Sequence, residues 1–138
     1  QELFKTLNKK LPGLDIVAED LGVVNDRVRE LIAFTGYPGM KVLLYGFDGD
    51  SSQNEHFPAH YSGNDVAYTG THDNDTVLGW AEKASPAALE KAKSCLGFRR
   101  LEEAPWAFVR GIFSSPCDTA IAPSIVLLLS AWLNIFEL

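Results

Sequence analysis

Two acidic clusters contain the residues best suited to acid–base chemistry. The segment YTGTHDND (68–75) places His72 and Asp73 directly after an apolar run, and LDIVAED (14–20) carries Glu19 at the end of another. If both runs are strands of one parallel sheet, their carboxyl ends lie on the same side, where α/β proteins bind and react. Two carboxyl groups in different surroundings can then divide acid and base roles. The sequence therefore predicts an acid–base site built from both clusters.

A purely structural explanation of the same clusters is the alternative. Asp20 would cap a turn and Asp75 would cap the helix that follows the second cluster, since short acidic side chains accept hydrogen bonds from nearby backbone amides. The other polar groups would then be solvated. We expect these structural roles for Asp20 and Asp75, and Asn74 is left without a predicted role.

Metal chemistry has little support in the sequence. The loop beginning DGD (48–50) starts like a calcium loop, but it lacks glycine at the sixth position and glutamate at the twelfth. His56 and His60 have the spacing of a zinc helix, but Pro58 between them prevents that helix. No GxSxG, P-loop or GxGxxG segment occurs, so a serine hydrolase, nucleotide or dinucleotide site is not indicated.

Composition predicts one globular unit without a nucleic-acid or membrane partner. The chain has 138 residues, 46% of them hydrophobic and 22% charged, and its net charge is −6. Nucleic acids and anionic membranes require clustered lysine and arginine, which are missing here. The apolar stretch 125–136 is shorter than the roughly 20 residues of a spanning helix. Cys95 and Cys117 are predicted to be free thiols, which favours a reducing compartment: the cytoplasm, or a plastid if the source is photosynthetic.

The elements that must position the clusters alternate along the chain. Four apolar runs are predicted to be strands: LDIVAED (14–20), MKVLLYGF (40–47), DVAYTGT (65–71) and DTAIAPSIV (118–126). Periodic or capped segments predict helices: QELFKTLNKK (1–10), NDRVRELIAFTG (25–36), NDTVLGWAE (74–82), AALEKAKSCLG (87–97) and WAFVRGIF (106–113). Such alternation is typical of an α/β protein with a parallel sheet. In the last helix, Trp106, Val109 and Phe113 are predicted to face the core.

Three motifs in this chain closely resemble one enzyme family. AEDLGV (18–23), YPGMKVLLYGFDGD (37–50) and YTGTHDNDTVLGW (68–80) are similar, in this order, to the 4-α-glucanotransferases called amylomaltase or disproportionating enzyme, glycoside hydrolase family 77. The resemblance extends from about residue 10 to residue 123, and the apolar tail 124–138 departs from it.

The resemblance implies the fold and the extent of the catalytic domain. The family has a (β/α)8 barrel, and the four predicted strands would be its strands 5 to 8. Residues 1–123 would then be the C-terminal half of a catalytic barrel truncated at both ends. A complete barrel typically takes about 250 residues, so this chain is expected not to close one, and its uncovered surface predicts self-association.

The resemblance also implies roles for three residues. Glu19 would be the general acid/base, Asp73 the carboxylate that stabilises the transition state at the reacting sugar, and His72 a donor to sugar hydroxyls. The apolar residues before Glu19 predict a partly desolvated setting for its proton. The family's nucleophilic aspartate lies on the fourth strand, in a motif that this chain lacks. No metal or organic cofactor is implied.

The predicted function follows from these roles. The parent enzyme would transfer α-1,4-glucan segments between malto-oligosaccharides or starch chains, and the isolated chain would be inactive without the nucleophile. Two alternatives differ in class: a non-catalytic carbohydrate-binding remnant, and a flavodoxin-like domain that binds a small molecule.

Overall fold

A computed structural model describes residues 1–123 of the chain. It contains five α-helices and three strands in this part: α1 (Glu2–Lys10), α2 (Asp26–Thr35), β1 (Gly39–Val42), β2 (Asp65–Tyr68), α3 (Val77–Lys83), α4 (Pro86–Leu96), α5 (Ala104–Phe113) and β3 (Thr119–Ile121). Short 3-10 helices occupy Leu43–Tyr45, Pro58–His60 and Leu101–Glu103. The tail predicted at 124–138 lies outside the described residues.

The three strands form one parallel sheet in the order β1-β2-β3. Met40 pairs with Val66, and Ala67 pairs with Ala120. The predicted α/β class with a parallel sheet is confirmed. β1 and β2 are shorter than predicted, and β1 ends at Val42 because the chain turns into the 3-10 helix that follows. The run predicted at 118–126 forms β3, and its last three residues lie outside the described residues.

The strand predicted at 14–20 is wrong, since this segment forms neither helix nor strand. One bond typical of a parallel ladder is present, from the Ala18 amide to the Pro38 carbonyl at 2.8 Å. The next amide on β1, that of Met40, donates to Asp20 Oδ1 at 2.8 Å and not to a backbone carbonyl. Apolar composition alone therefore did not make a strand, because a strand requires a continuous ladder of backbone partners.

Local capping signals in the helices are confirmed. Asn25 Oδ1 accepts the Val28 amide at 3.1 Å, and Gly36 ends α2 in the left-handed region with φ 67°. Ser85 caps α4 in the same way, and Gly97 ends that helix with φ 70°. These positions depend on the residue types next to them, so sequence is enough to find them.

The hydrophobic core lies between the sheet and the helices α3, α4 and α5. Its centre is an aromatic cluster in which Phe47, Trp80 and Phe108 meet with ring centroids 5.4 to 5.9 Å apart. The largest apolar side chains that are fully buried include Phe47, Phe108, Leu43, Ile112, Val42 and Val77. This core fixes the ends of β1 and β2, which carry the candidate site.

The predicted core face of α5 is wrong. Trp106 and Phe113 are 57% and 63% exposed, whereas Phe108 and Ile112 are buried. Both sets of residues are apolar and helically spaced, so the pattern by itself allowed either face to be buried. Packing against α3 and α4 selects the face with Phe108.

No helix within residues 1–123 combines the length and the apolar character needed to cross a membrane.

Candidate functional site

The second acidic cluster lies on a tight turn just beyond the end of β2. Asn74 closes this turn, because its Oδ1 accepts the Thr71 amide at 2.8 Å and the Thr71 hydroxyl at 3.0 Å. The backbone amide of Asn74 donates to the Thr71 carbonyl at 3.1 Å. Asparagine commonly bonds to nearby backbone in this way. The sequence around Asn74 thus forms a compact turn that presents the two residues between Thr71 and Asn74.

These two residues, His72 and Asp73, project into solvent. Their side chains are 90% and 77% exposed, and His72 Nε2 lies 3.3 Å from Asp73 Oδ1. The Asp73 amide is held by the Thr71 hydroxyl at 3.4 Å. An exposed carboxylate can accept hydrogen bonds from a hydroxyl-rich ligand, and the imidazole beside it can donate to one.

Asp75 has a different role from the one predicted. The N-cap of α3 is Thr76, whose hydroxyl accepts the Gly79 amide at 3.0 Å. Asp75 instead accepts the Thr76 amide at 2.8 Å and pairs with Lys83 at 2.6 Å. Its hydrogen bond to Lys83 is the main reason that the pKa of Asp75 is lowered. Either residue type can cap a helix, and the point where helical geometry begins decided between them.

Tyr45, which the sequence analysis missed, braces this turn from the 3-10 helix that follows β1, and His56 packs against it. Asn74 Nδ2 donates to the Tyr45 hydroxyl at 2.9 Å. The Tyr45 ring meets the His56 ring edge-on with centroids 5.4 Å apart, and His56 Nδ1 accepts the Val42 amide at 3.2 Å. Burial is the main reason that the pKa of His56 is lowered. Tyr45 and Asn74 are 29 residues apart, so no local pattern in the sequence indicated their contact.

A cavity of about 230 Å³ opens beside the turn. It is lined by Leu44, Tyr45, Asp48, Asn74, Asp75, Trp80 and Lys83. Carboxylate, amide and ammonium groups there surround the aromatic surfaces of Tyr45 and Trp80. Such a mixture of polar groups and rings suits a ligand with both hydroxyl groups and apolar faces.

Glu19 lies beside the start of β1 and not at the end of a strand. Its neighbours fix this position, because Ala18 bonds to Pro38 and Asp20 bonds to Met40. Asp20 therefore forms a tertiary link across 20 residues, which differs from the turn cap that was predicted.

The surroundings of Glu19 are open. The residue is exposed, and Val17 before it is 44% exposed, so the apolar residues of 14–18 do not provide the desolvated setting that was expected. Within residues 1–123, no hydrogen bond or ion pair joins Glu19 to His72 or Asp73. A joint site of Glu19 and Asp73 stays a prediction.

Within the described part of the chain, no three histidine, cysteine, aspartate or glutamate side chains are grouped so that they could hold a metal ion. Cys95 and Cys117 are free thiols, as predicted, and burial raises the pKa of both.

The sequence matches one family of known proteins and several of its members. Residues 1–130 match the family described as 4-alpha-glucanotransferase. The chain is 43% identical over 122 residues to the 4-alpha-glucanotransferase of Clostridium butyricum, which covers 87% of this chain and 25% of that protein. It is 38% identical over 123 residues to the chloroplastic/amyloplastic 4-alpha-glucanotransferase of Arabidopsis thaliana, covering 89% of this chain and 21% of that protein.

Among solved structures, the chain resembles an amylomaltase from Streptococcus agalactiae in complex with acarbose. The TM-score is 0.84 at 34% identity, and the similarity covers 92% of this chain and 26% of that one. The chain thus spans about a quarter of the length of the relatives that it matches.

Proposed function

Because the chain belongs to the 4-alpha-glucanotransferase family, we propose that it forms part of the catalytic unit of an enzyme that moves α-1,4-glucan segments between malto-oligosaccharides or starch chains. The family match over residues 1–130, which includes both acidic clusters, carries this proposal. The exposed His72–Asp73 pair next to a cavity with polar and aromatic walls supports it.

In the proposed reaction, Glu19 protonates the glycosidic oxygen as the bond to the sugar C1 breaks. An aspartate outside these 138 residues attacks C1 and forms a covalent glycosyl intermediate, as in retaining glycosidases. The Glu19 carboxylate then takes the proton from the 4-hydroxyl of the acceptor glucan, which attacks C1 and releases the enzyme aspartate. No cofactor enters these steps.

Asp73 and His72 would act on the sugar ring that reacts. The Asp73 carboxylate accepts hydrogen bonds from ring hydroxyls, and its charge favours the oxocarbenium-like transition state. His72 donates to a hydroxyl beside it. Because both side chains are largely exposed here, their dry surroundings would have to come from the substrate and from the rest of the enzyme.

The proposed fold of the complete enzyme is the (β/α)8 barrel. β1, β2 and β3 would be its sixth, seventh and eighth strands. Residues 1–123 would be the C-terminal half of the barrel, followed by the apolar tail 124–138. The reducing cytoplasm or a plastid is the proposed location, and a glucan is the proposed partner.

The test uses a hybrid enzyme in which this chain replaces the matching part of the solved amylomaltase relative. With maltotriose as substrate, the unmodified hybrid should produce glucose and longer maltodextrins by chromatography. Glu19→Gln and Asp73→Asn should each lower kcat by about 10²-fold or more, as expected for acid–base and charge-stabilising groups. Glu30→Gln, on the exposed side of α2, should leave kcat unchanged.

Several outcomes separate the alternatives. A folded hybrid without activity, or full activity in Glu19→Gln, would contradict the proposed function. The 138-residue chain alone should give no products, and glucan binding without turnover there would favour the carbohydrate-binding remnant. A monomer that unfolds cooperatively and binds no glucan would favour the flavodoxin-like alternative.

A further inference from the structure

The turn that carries His72 and Asp73 is linked to another element by a single hydrogen bond in the described part of the chain. Its other bonds, between Thr71 and Asn74 and between Thr71 and Asp73, all lie inside the turn. The exception runs from Asn74 Nδ2 to the Tyr45 hydroxyl over 2.9 Å. Tyr45 therefore supplies the hydrogen bond between this turn and the 3-10 helix that follows β1.

The Tyr45 hydroxyl is well placed to serve as a fixed point. The Tyr45 carbonyl accepts Asn54 Nδ2 at 2.8 Å, and its ring packs against the core and against His56. His56 in turn accepts the amide of Val42, the last residue of β1, at 3.2 Å. Tyr45 is thus held by its backbone, by its ring and, through His56, by the end of β1.

The Asn74 side chain uses both ends of its amide group. Its oxygen closes the turn on Thr71, and its nitrogen reaches Tyr45. Rotation of this amide would place its nitrogen against the Thr71 backbone amide, and because both groups are donors that bond would be lost. The amide therefore couples the internal shape of the turn to its attachment.

We propose that Tyr45 and Asn74 are positioning residues for His72 and Asp73, and that the bond between them sets the placement of the Asp73 carboxylate against the reacting sugar. This proposal rests on the proposed glucanotransferase function. The energetic reason is that a carboxylate stabilises developing charge only from the correct position, and an error of about 1 Å can cost up to about 10²-fold in rate.

Tyr45→Phe is the variant that isolates this bond. Phenylalanine keeps the ring, its contact with His56 and the backbone bond to Asn54, and it removes only the oxygen that accepts Asn74 Nδ2. Tyr37→Phe is the matched control, because the Tyr37 hydroxyl also bonds to an asparagine, Asn8, away from the turn. Both variants lose one hydroxyl and one link to an asparagine.

The readouts are the kinetics of maltotriose transfer and amide hydrogen exchange, both in the hybrid enzyme. Tyr45→Phe should lower kcat about tenfold with KM changed less than twofold, since a misplaced Asp73 weakens transition-state binding more than substrate binding. Exchange of the Thr71 and Asp73 amides should accelerate, and exchange within α5 should stay the same. Tyr37→Phe should change neither kcat nor these amides.

The two proposals fail in different ways. An unmodified hybrid that is folded but does not transfer glucan would overturn the proposed function, and hydrogen exchange in the same protein would still decide whether Tyr45 holds the turn. An active hybrid in which Tyr45→Phe leaves kcat and the exchange of Thr71 and Asp73 unchanged would overturn the positioning role alone. An equal fall in kcat in Tyr45→Phe and Tyr37→Phe would also overturn the positioning role, because it would indicate a general loss of stability.

Discussion

Aspartates that are close together in the sequence have different partners in the structure. Asp73 and Asp75 are two positions apart, but Asp73 is 77% exposed beside His72, and Asp75 is paired with Lys83 at 2.6 Å. Lys83 has a raised pKa and Asp75 a lowered one because of the hydrogen bond between them. Of these two carboxylates, the one without a lysine partner is the better candidate for binding a neutral, hydroxyl-rich ligand.

His56 predicts how stability depends on pH. Burial lowers its pKa below the ordinary 6.5, and its neutral Nδ1 accepts the Val42 amide. Below pH 6.5 the His56 imidazole becomes protonated in the unfolded chain, whereas in the folded protein it stays neutral down to the lower pKa. The stabilisation is therefore complete above about pH 6.5 and is lost as the pH falls through the lower, folded pKa. Urea unfolding should show a smaller free energy of unfolding at pH 5 than at pH 7.5.

Asn at position 56 can accept the same amide without titrating, so His56→Asn should flatten this pH dependence. The control is His72→Asn, which changes an exposed histidine that contacts Asp73 and no backbone amide. Equal pH dependence in His56→Asn and the unmodified chain would contradict the role assigned to His56.

Among the elements, the 3-10 helix that leads into α5 is capped by the acidic residue Glu103. Glu103 accepts the amides of Arg99 and Arg100 at 3.0 and 3.2 Å, and the Arg100 side chain at 3.0 Å. These bonds cap the 3-10 helix Leu101–Glu103, whose last residue is also the N-cap of α5, the helix that delivers Phe108 to the core. Backbone amides are the first cause of the lowered pKa of Glu103, about 2 compared with the ordinary 4.5.

The depressed pKa predicts that Glu103→Gln lowers Tm at pH 7, because a neutral amide accepts these bonds less strongly. The contribution of the carboxylate is present above pH 4.5 and is lost as the pH falls through about 2. The Tm difference between the two proteins should therefore shrink over that interval. Glu102→Gln is the control, since Glu102 is the exposed neighbour. A Tm difference that is constant from pH 7 to pH 2 would contradict this assignment.

In the molecule as a whole, one face of the sheet packs against the helical core and the other face borders an open cavity. Ala67 faces the core that includes α3 to α5, and the alternation of a strand turns Val66 to the opposite side. Val66, Leu14, Val17 and Ile121 there line an open cavity of about 480 Å³. Leu14, Val17 and Ile121 are 56%, 44% and 40% exposed. Grouped apolar exposure of this kind favours association.

We expect the isolated 138-residue chain to self-associate through this surface. Sedimentation velocity should show species larger than the 15.2 kDa monomer as concentration rises. The double variant Leu14→Ser, Val17→Ser should shift the distribution toward the monomer. Val23→Ser is the control, because Val23 is 98% exposed but does not line the cavity. A monomer at all concentrations, or the same shift in Val23→Ser, would argue against this surface.

Features that depend on near neighbours or on motif order could be predicted from the residues alone. Asn25, Ser85, Gly36 and Gly97 mark helix ends because capping involves residues within one turn. The α/β class followed from alternating patterns. Three motifs in order pointed to the glucanotransferase family, which the match over residues 1–130 confirms.

Features that depend on distant partners could not be predicted in this way, because they are set by the folded chain. Residues 14–20 have a strand-like composition but lack a ladder, because the Met40 amide goes to the Asp20 side chain. The buried face of α5 was chosen by its neighbours. The bond between Tyr45 and Asn74 joins positions 29 residues apart. Residue patterns record which groups can hydrogen-bond or be buried, and the folded chain selects their partners because each donor, acceptor and apolar face is satisfied by whatever packing brings near it.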